Sequence, residues 1–263
     1  MCFKCMKRPS SKFLAMPSLT IELDSFFEEI HRIGLPEYTP SLKDIVHMRE
    51  KTIMVQELKF KLEDQTKISL LDMGGQRKER KKWIHQFQNA SSILFIASLS
   101  EFDMTCFISR VLLSTNTLKE DSETPRLREN LAIFEDIVNN PLFYKIPFVL
   151  LFNKIDILEQ KVKSKSFREL FSDFPLESNE VNVDHCAKYL LDKYCEQIKN
   201  RSIDSPYGFR KAANEEGTVL IRTMNATDEK SVATVFREAT DYILKEHENL
   251  YLAFVASQTA KRD

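Results

Sequence analysis

The chain has 263 residues, 43% of them apolar and 19 of them phenylalanine, enough for one large domain, or one and a half small ones, around a real core. Its 38 basic and 39 acidic residues nearly cancel, so no global field favours nucleic acid. No apolar run reaches the ~18 residues of a membrane span, no signal-peptide core stands near the start, and five cysteines without regular spacing suggest a reducing, cytoplasmic setting.

In chain order, residues 1–21 read as an N-terminal tail, opening "MCFKCMKRPSSKF". Cys2 and Cys5 have the spacing of half a zinc site, but no second pair follows. Two readings of this stretch stand: a solvated tail, or a palmitoylated patch. In the second, acylated Cys2 and Cys5 join Lys4, Lys7, Arg8 and Lys12 in peripheral contact with the inner face of the plasma membrane. Cys rather than Gly at position 2 excludes N-myristoylation of the chain as it stands.

Residues 22–33, "ELDSFFEEIHRI", form a short amphipathic pattern that Gly34 and Pro36 stop. Residues 52–72 alternate polar and apolar in two runs joined by "EDQ", the pattern of a hairpin. Three continuous apolar runs follow, "SSILFIASLS", "IPFVLLFN" and "GTVLIRTM", as expected of strands covered on both faces. Helical patterns lie between and after them: "RLRENLAIFEDIVNN", "HCAKYLLDKYCEQIKN" and "DEKSVATVFREATDYILKEHENL". In the last, Val232, Val235, Phe236, Ala239 and Ile243 share one stripe. Strands alternating with helices predict a mostly parallel α/β sheet flanked by helices.

In such sheets ligands bind beyond the carboxyl ends of the strands, and three of those ends carry suggestive residues. After "ISLL" come Asp72, Gly74, Gly75 and Gln76. Asp72 suits Mg²⁺ held through water, Gly75 allows close approach of a phosphate to the backbone, and Gln76 is placed to orient an attacking water. After "FVLLF" come Asn153, Lys154 and Asp156. A carboxylate at 156 can accept both N1–H and the 2-amino group of guanine, a match adenine lacks. After "TVLIRTM" comes Asn225-Ala226-Thr227, where a backbone N–H can meet guanine O6. Each piece alone is an ordinary turn. Their order, each after a strand, points to a nucleotide site.

With those residues in view, the chain resembles the α subunits of heterotrimeric G proteins over residues 22–246. "DMGGQRKERKKWIHQF" is similar to that family's switch II, "HMREKT" to its switch I, and "NKID" and "NATD" to its two guanine loops. The resemblance implies a Ras-like, P-loop NTPase-type fold and a signal transducer coupling a G-protein-coupled receptor to effectors, with GTP or GDP and Mg²⁺ as cofactors. It makes Arg49 the in-cis arginine finger, Gln76 its catalytic partner, and Thr52 and Asp72 the Mg²⁺ residues. Arg49, Thr52, Asp72, Gly75, Asn153, Lys154, Asp156 and Ala226 become nucleotide contacts. Lys82, Trp83 and Gln86 become the contact for a βγ dimer or an effector, with an exposed Trp83 as anchor; the other reading packs Trp83 into the core of this chain. Residues 22–40 resemble the end of the family's helical domain and its linker, 41–247 an incomplete GTPase domain, and 248–263 a C-terminal tail.

The chain also departs from that pattern. None of its glycines (Gly34, Gly74, Gly75, Gly208, Gly217) precedes a lysine, so the phosphate loop G-x-x-x-x-G-K-[ST] is not among these 263 residues. Nor is the family's first strand. Met54 stands where switch I carries glycine, and Met224-Asn225 where the last guanine loop carries Thr-Cys. Residues 104–124 are longer and more apolar than the family's segment. On this reading, GTP binds weakly and is not turned over measurably. The alternative is a non-hydrolysing protein that presents switch II to βγ subunits or effectors.

Overall fold

The computed structural model describes residues 26–48, 52, 55–62, 65–75, 80, 83–87, 90–104, 125–164, 167–175, 182–211 and 217–259. Arg49, Gln76, Lys82, the cysteines at 2 and 5, and nearly all of 104–124 lie outside them. The chain divides into two compact units, residues 40–91 and the remainder. Helix α1 (Ile30–Ile33) belongs to the larger unit and ends at Gly34, whose amide donates to the Ile30 carbonyl at 3.0 Å.

In the smaller unit, α2 (Leu42–His47) starts on a capping box. Ser41 Oγ accepts the Asp44 N–H, and the Asp44 carboxylate accepts the Ser41 N–H. Ser41 and Asp44 have the Ser-x-x-Asp spacing that such a box requires. The predicted hairpin is present as β1 (Gln56–Lys61) and β2 (Lys67–Asp72), antiparallel with Gln56 opposite Asp72. Leu62 N–H donates to Thr66 O at 2.9 Å where the chain reverses, with Gln65 at φ 68°. Helix α3 (Trp83–Phe87) follows.

The larger unit carries β3 (Ile93–Ser98), α4 (Arg126–Val138), β4 (Phe148–Asn153), α5 (Ile155–Ser164), α6 (Phe167–Leu170), α7 (Val183–Cys195), β5 (Ser202–Ser205), β6 (Gly208–Arg210), β7 (Thr218–Thr223) and α8 (Glu229–Thr259). Among the described residues its strands form one sheet of five, in the order β3-β4-β7-β5-β6. All pairs are parallel except β5 with β6. The β5–β6 ribbon was not foreseen; its turn, Ser205 to Gly208, closes on Gly208 at φ 124°.

Strand β4 is the centre of the core. Alternation along it sends Val149 and Leu151 to one face, where they join Leu220, Met224, Val235 and Ala239 under α8. Phe148 and Phe152 serve the other face, where Phe134 of α4 and Tyr194 of α7 meet them edge to face at centroid distances of 5.0–5.9 Å. One expectation needs correcting. Strand β3 is not covered on both faces, for Ile96 is 55% exposed. Among the described residues it lies at the end of the strand order and pairs with β4 alone.

Candidate functional site

The sheet brings two of the suggestive loops together because β4 and β7 are parallel neighbours that end level, Phe152 opposite Thr223. Met224 N–H closes the gap onto Phe152 O at 2.7 Å. Asn153, the last residue of β4, then joins the two loops. Its Oδ1 accepts the N–H of Lys154 at 2.7 Å and the N–H of Ala226 at 2.9 Å, across 73 residues of chain. With its oxygen held by two donors, the Asn153 carboxamide keeps its NH₂ as a donor for a ligand acceptor. Lys154 takes a left-handed backbone at φ 65°, which costs a side-chain-bearing residue about 1–2 kcal/mol. That conformation turns the chain from β4 into α5.

Asp156 stands in the first turn of α5. Its Oδ1 is buried and has no hydrogen-bond partner in the described structure. Leaving such an acceptor unsatisfied costs about 1–3 kcal/mol, more when it is charged. A ligand with N–H donors would remove that cost.

The Ala226 loop has its own bracing. Asn225 Oδ1 accepts Thr227 N–H at 3.0 Å and Thr227 Oγ1–H at 2.7 Å. The Asn225 N–H in turn donates to Ser231 Oγ at 3.0 Å. The Ala226 amide that sequence assigned to guanine O6 therefore donates to Asn153 in this structure.

Sequence reasoning missed what anchors α5. Lys161 Nζ donates to Asp103 Oδ1 and to Ser100 O, both at 2.6 Å, and lies 5.6 Å from the Phe102 ring. Its side chain is 1% exposed and that of Asp103 3%. This buried pair ties the segment after β3 to the helix that presents Asp156. Its members are 58 residues apart, so no local pattern announces them.

In the smaller unit, Thr52 Oγ1 donates to Asp72 Oδ2 at 3.2 Å, which gathers the two residues assigned to Mg²⁺. Both donors are oxygens and Asp72 is exposed, a hard and open set that fits Mg²⁺ retaining several waters. Gly75 is exposed, and a Cβ there would meet no atom within 4 Å, so the backbone is open to approach. The glycine turn is fastened from its own unit: Trp83 Nε1–H donates to Gly74 O at 3.0 Å and Arg80 Nε–H to Gly75 O at 3.0 Å. Trp83 is thus half-buried, edge-on to Phe87 at 6.2 Å, rather than the exposed anchor expected; Gln86 is also half-buried.

A mostly parallel five-stranded sheet with flanking helices, and paired loops beyond its strand ends, defines a Ras-like nucleotide-binding fold of the P-loop NTPase type. The family model for the G-protein alpha subunit matches residues 4–243, and the chain belongs to that family. Among curated proteins, it is 33% identical over 235 residues to the guanine nucleotide-binding protein alpha-3 subunit of Mycosarcoma maydis, covering 89% of this chain and 56% of that one. It is 34% identical over 225 residues to guanine nucleotide-binding protein subunit alpha-13 of Homo sapiens, covering 86% and 52%. With the alpha-7 subunit of Caenorhabditis elegans it shares 34% identity over 194 residues, covering 74% and 50%. The chain therefore spans about half the length of the curated relatives it matches.

Proposed function

We propose that this chain is a guanine nucleotide-binding signal transducer of the α-subunit type, taking GTP or GDP and coupling a receptor to effectors in partnership with a βγ dimer. The observation that carries the nucleotide half of this reading is the unsatisfied, buried Asp156 Oδ1, in the first turn of the helix that follows an Asn153 whose oxygen is held by two backbone donors. Guanine offers the complement: N1–H and the 2-amino group for the carboxylate, N7 and O6 for the amide. Thr52 and Asp72 would hold Mg²⁺, which supplies charge neutralisation to the phosphates when bound. Arg49 and Gln76 take the roles of arginine finger and water-orienting residue, as in the family. The βγ dimer or effector would meet the segment that holds Lys82, Trp83 and Gln86, as the family resemblance implies.

Titration with a fluorescent GDP analogue tests the base assignment. The 263-residue chain is expected to prefer GDP to ADP, and Asp156→Ala to remove that preference. A charged hydrogen bond contributes ~1.5–3 kcal/mol, so the loss should be roughly tenfold or more. Asp156→Asn turns an acceptor into a donor and should shift preference to a xanthine nucleotide, which carries a carbonyl at C2. Equal affinity for GDP and ADP in the unaltered chain would refute the reading.

A further inference from the structure

We propose that the cleft between the β5–β6 ribbon and α8 takes an extended peptide segment of a partner, with an acidic side chain seated on Lys230. The cleft lies wholly in the larger unit and holds about 570 Å³, within the ~300–1,000 Å³ of ligand pockets. The ribbon lines it with Ser205 and Pro206, and this turn is braced from within. Ser205 Oγ donates to Gly208 O at 2.9 Å and accepts the Tyr207 N–H at 3.3 Å. Buried Val235 of α8 adds an apolar surface.

Arg222, which also lines the cleft, shows which charges there are already used. Its Nε–H donates to Glu238 Oε2 at 2.6 Å and its Nη1–H to Asp204 Oδ1 at 3.4 Å, so one cation serves two carboxylates. Glu238 Oε1 keeps its lone pairs, with no hydrogen bond among the described residues. Lys230 is exposed, and its ammonium has no partner among the described residues. The hydroxyls of Thr223 and Thr234 make no hydrogen bond there either. Ser231 Oγ accepts the Asn225 N–H at 3.0 Å and retains its own proton to donate. The lining is thus two-ended, with spare donors around Lys230 and a spare acceptor on Glu238. These ends stand two helical turns apart, about 12 Å along the axis of α8. A peptide main chain supplies the complement, carbonyls for the hydroxyls and an N–H for Glu238. At ~3.3 Å per residue, about four extended residues span the distance. A small anion such as phosphate would satisfy the Lys230 end alone, so the peptide is the better match.

The test is fluorescence anisotropy on the full 263-residue chain with fluorescein-labelled Ala-Ala-Asp-Ala-Ala amide, and with the same peptide carrying Asn or Lys at its centre. The Asp peptide should bind about tenfold more tightly than the Asn peptide, with the Lys peptide weakest. Lys230→Glu should reverse that order in favour of the Lys peptide. An acidic side chain suits the first turn of a helix, so this variant should fold. Thr234→Val should weaken the Asp and Asn peptides alike, by roughly threefold, and leave their ratio unchanged. Neither GDP nor equimolar inorganic phosphate should displace the Asp peptide. The inference is overturned by failure of the Asp peptide to bind, or by an unchanged peptide order in Lys230→Glu. Displacement by GDP would place the peptide in the nucleotide site, and displacement by phosphate would reduce the cleft to an anion site; either overturns it as well. A chain without guanine preference would leave the inference standing, since neither Asn153 nor Asp156 lines this cleft.

Discussion

Single residues in this protein do their work through partners far off in sequence. Lys161 illustrates it: an ammonium that is 1% exposed is tolerable because the Asp103 carboxylate and the Ser100 carbonyl accept its hydrogen bonds. Removing one partner leaves an uncompensated buried charge. Asp103→Ala is therefore expected to destabilise the larger unit by about 3–5 kcal/mol in urea denaturation. Replacing the pair together, Asp103→Leu with Lys161→Met, should recover most of that loss. A single-variant effect below ~1 kcal/mol would mean water reaches the site. The residues of the candidate site were easier to foresee than this pair, because Asn153, Asp156 and Ala226 stand at or just beyond strand ends. Their roles there were not. The Ala226 amide serves Asn153, and Trp83 spends its indole N–H on Gly74.

At the scale of elements, local pattern located the hairpin, three parallel strands and three long helices. It passed over α2, α3, α5, α6 and the β5–β6 ribbon. Helix α5 begins inside the loop that carries Asp156, so its first turn read as loop chemistry. The ribbon is short, and its aromatics, Tyr207 in the turn and Phe209 in β6, are exposed, which hides a strand pattern. Helix α8 runs to Thr259, across the boundary drawn at 247, because nothing between His247 and Thr259 breaks a helix. The entry to β7 depends on backbone shape. Gly217 has φ 113°, its carbonyl accepts Ser202 N–H at 3.0 Å, and a Cβ there would lie 3.3 Å from Tyr144 O. Gly217→Ala meets both strain and crowding, and should cost about 1–3 kcal/mol. Equilibrium unfolding checks this, with Gly208→Ala as the comparison, since a Cβ there meets no atom within 4 Å despite φ 124°. The Gly217 variant is expected to be the less stable.

Across the whole molecule, several buried protons make stability fall on the alkaline side. Burial pushes the Cys186 thiol up to about 11. Burial and then the nearby Asp192 charge do the same for Cys195, also to about 11. Tyr189 rises to about 12, through burial first and its hydrogen bond to Asp173 second. Tyr194 and Tyr242 are raised further, chiefly by burial. In each case the folded chain holds its proton more tightly than the unfolded chain. The contribution is complete below the unfolded values, ~8.5 for Cys and ~10 for Tyr, and drains as pH rises towards the folded ones. The urea midpoint should be flat from about pH 7 to 8 and fall steadily between about pH 9 and 11. Cys186→Ala should soften the first part of that fall. A midpoint constant to pH 11 would show that these groups ionise as freely folded as unfolded.

The sequence by itself determined the alternation of strands and helices, the mostly parallel α/β class, and the location of the candidate site residues at strand ends. These features are written in neighbouring residues: apolar runs, helical stripes, and turn-forming Asn, Asp and Gly. Only the tertiary structure decided which loop ends meet, because the Asn153–Ala226 and Lys161–Asp103 bonds exist only once β4 lies beside β7 and α5 against the segment after β3. It also decided that Ile96 is exposed, since a strand's second face is covered or open according to its place in the sheet order. Strand order is a property of the packed sheet, and an apolar run reads alike at the centre and at the edge.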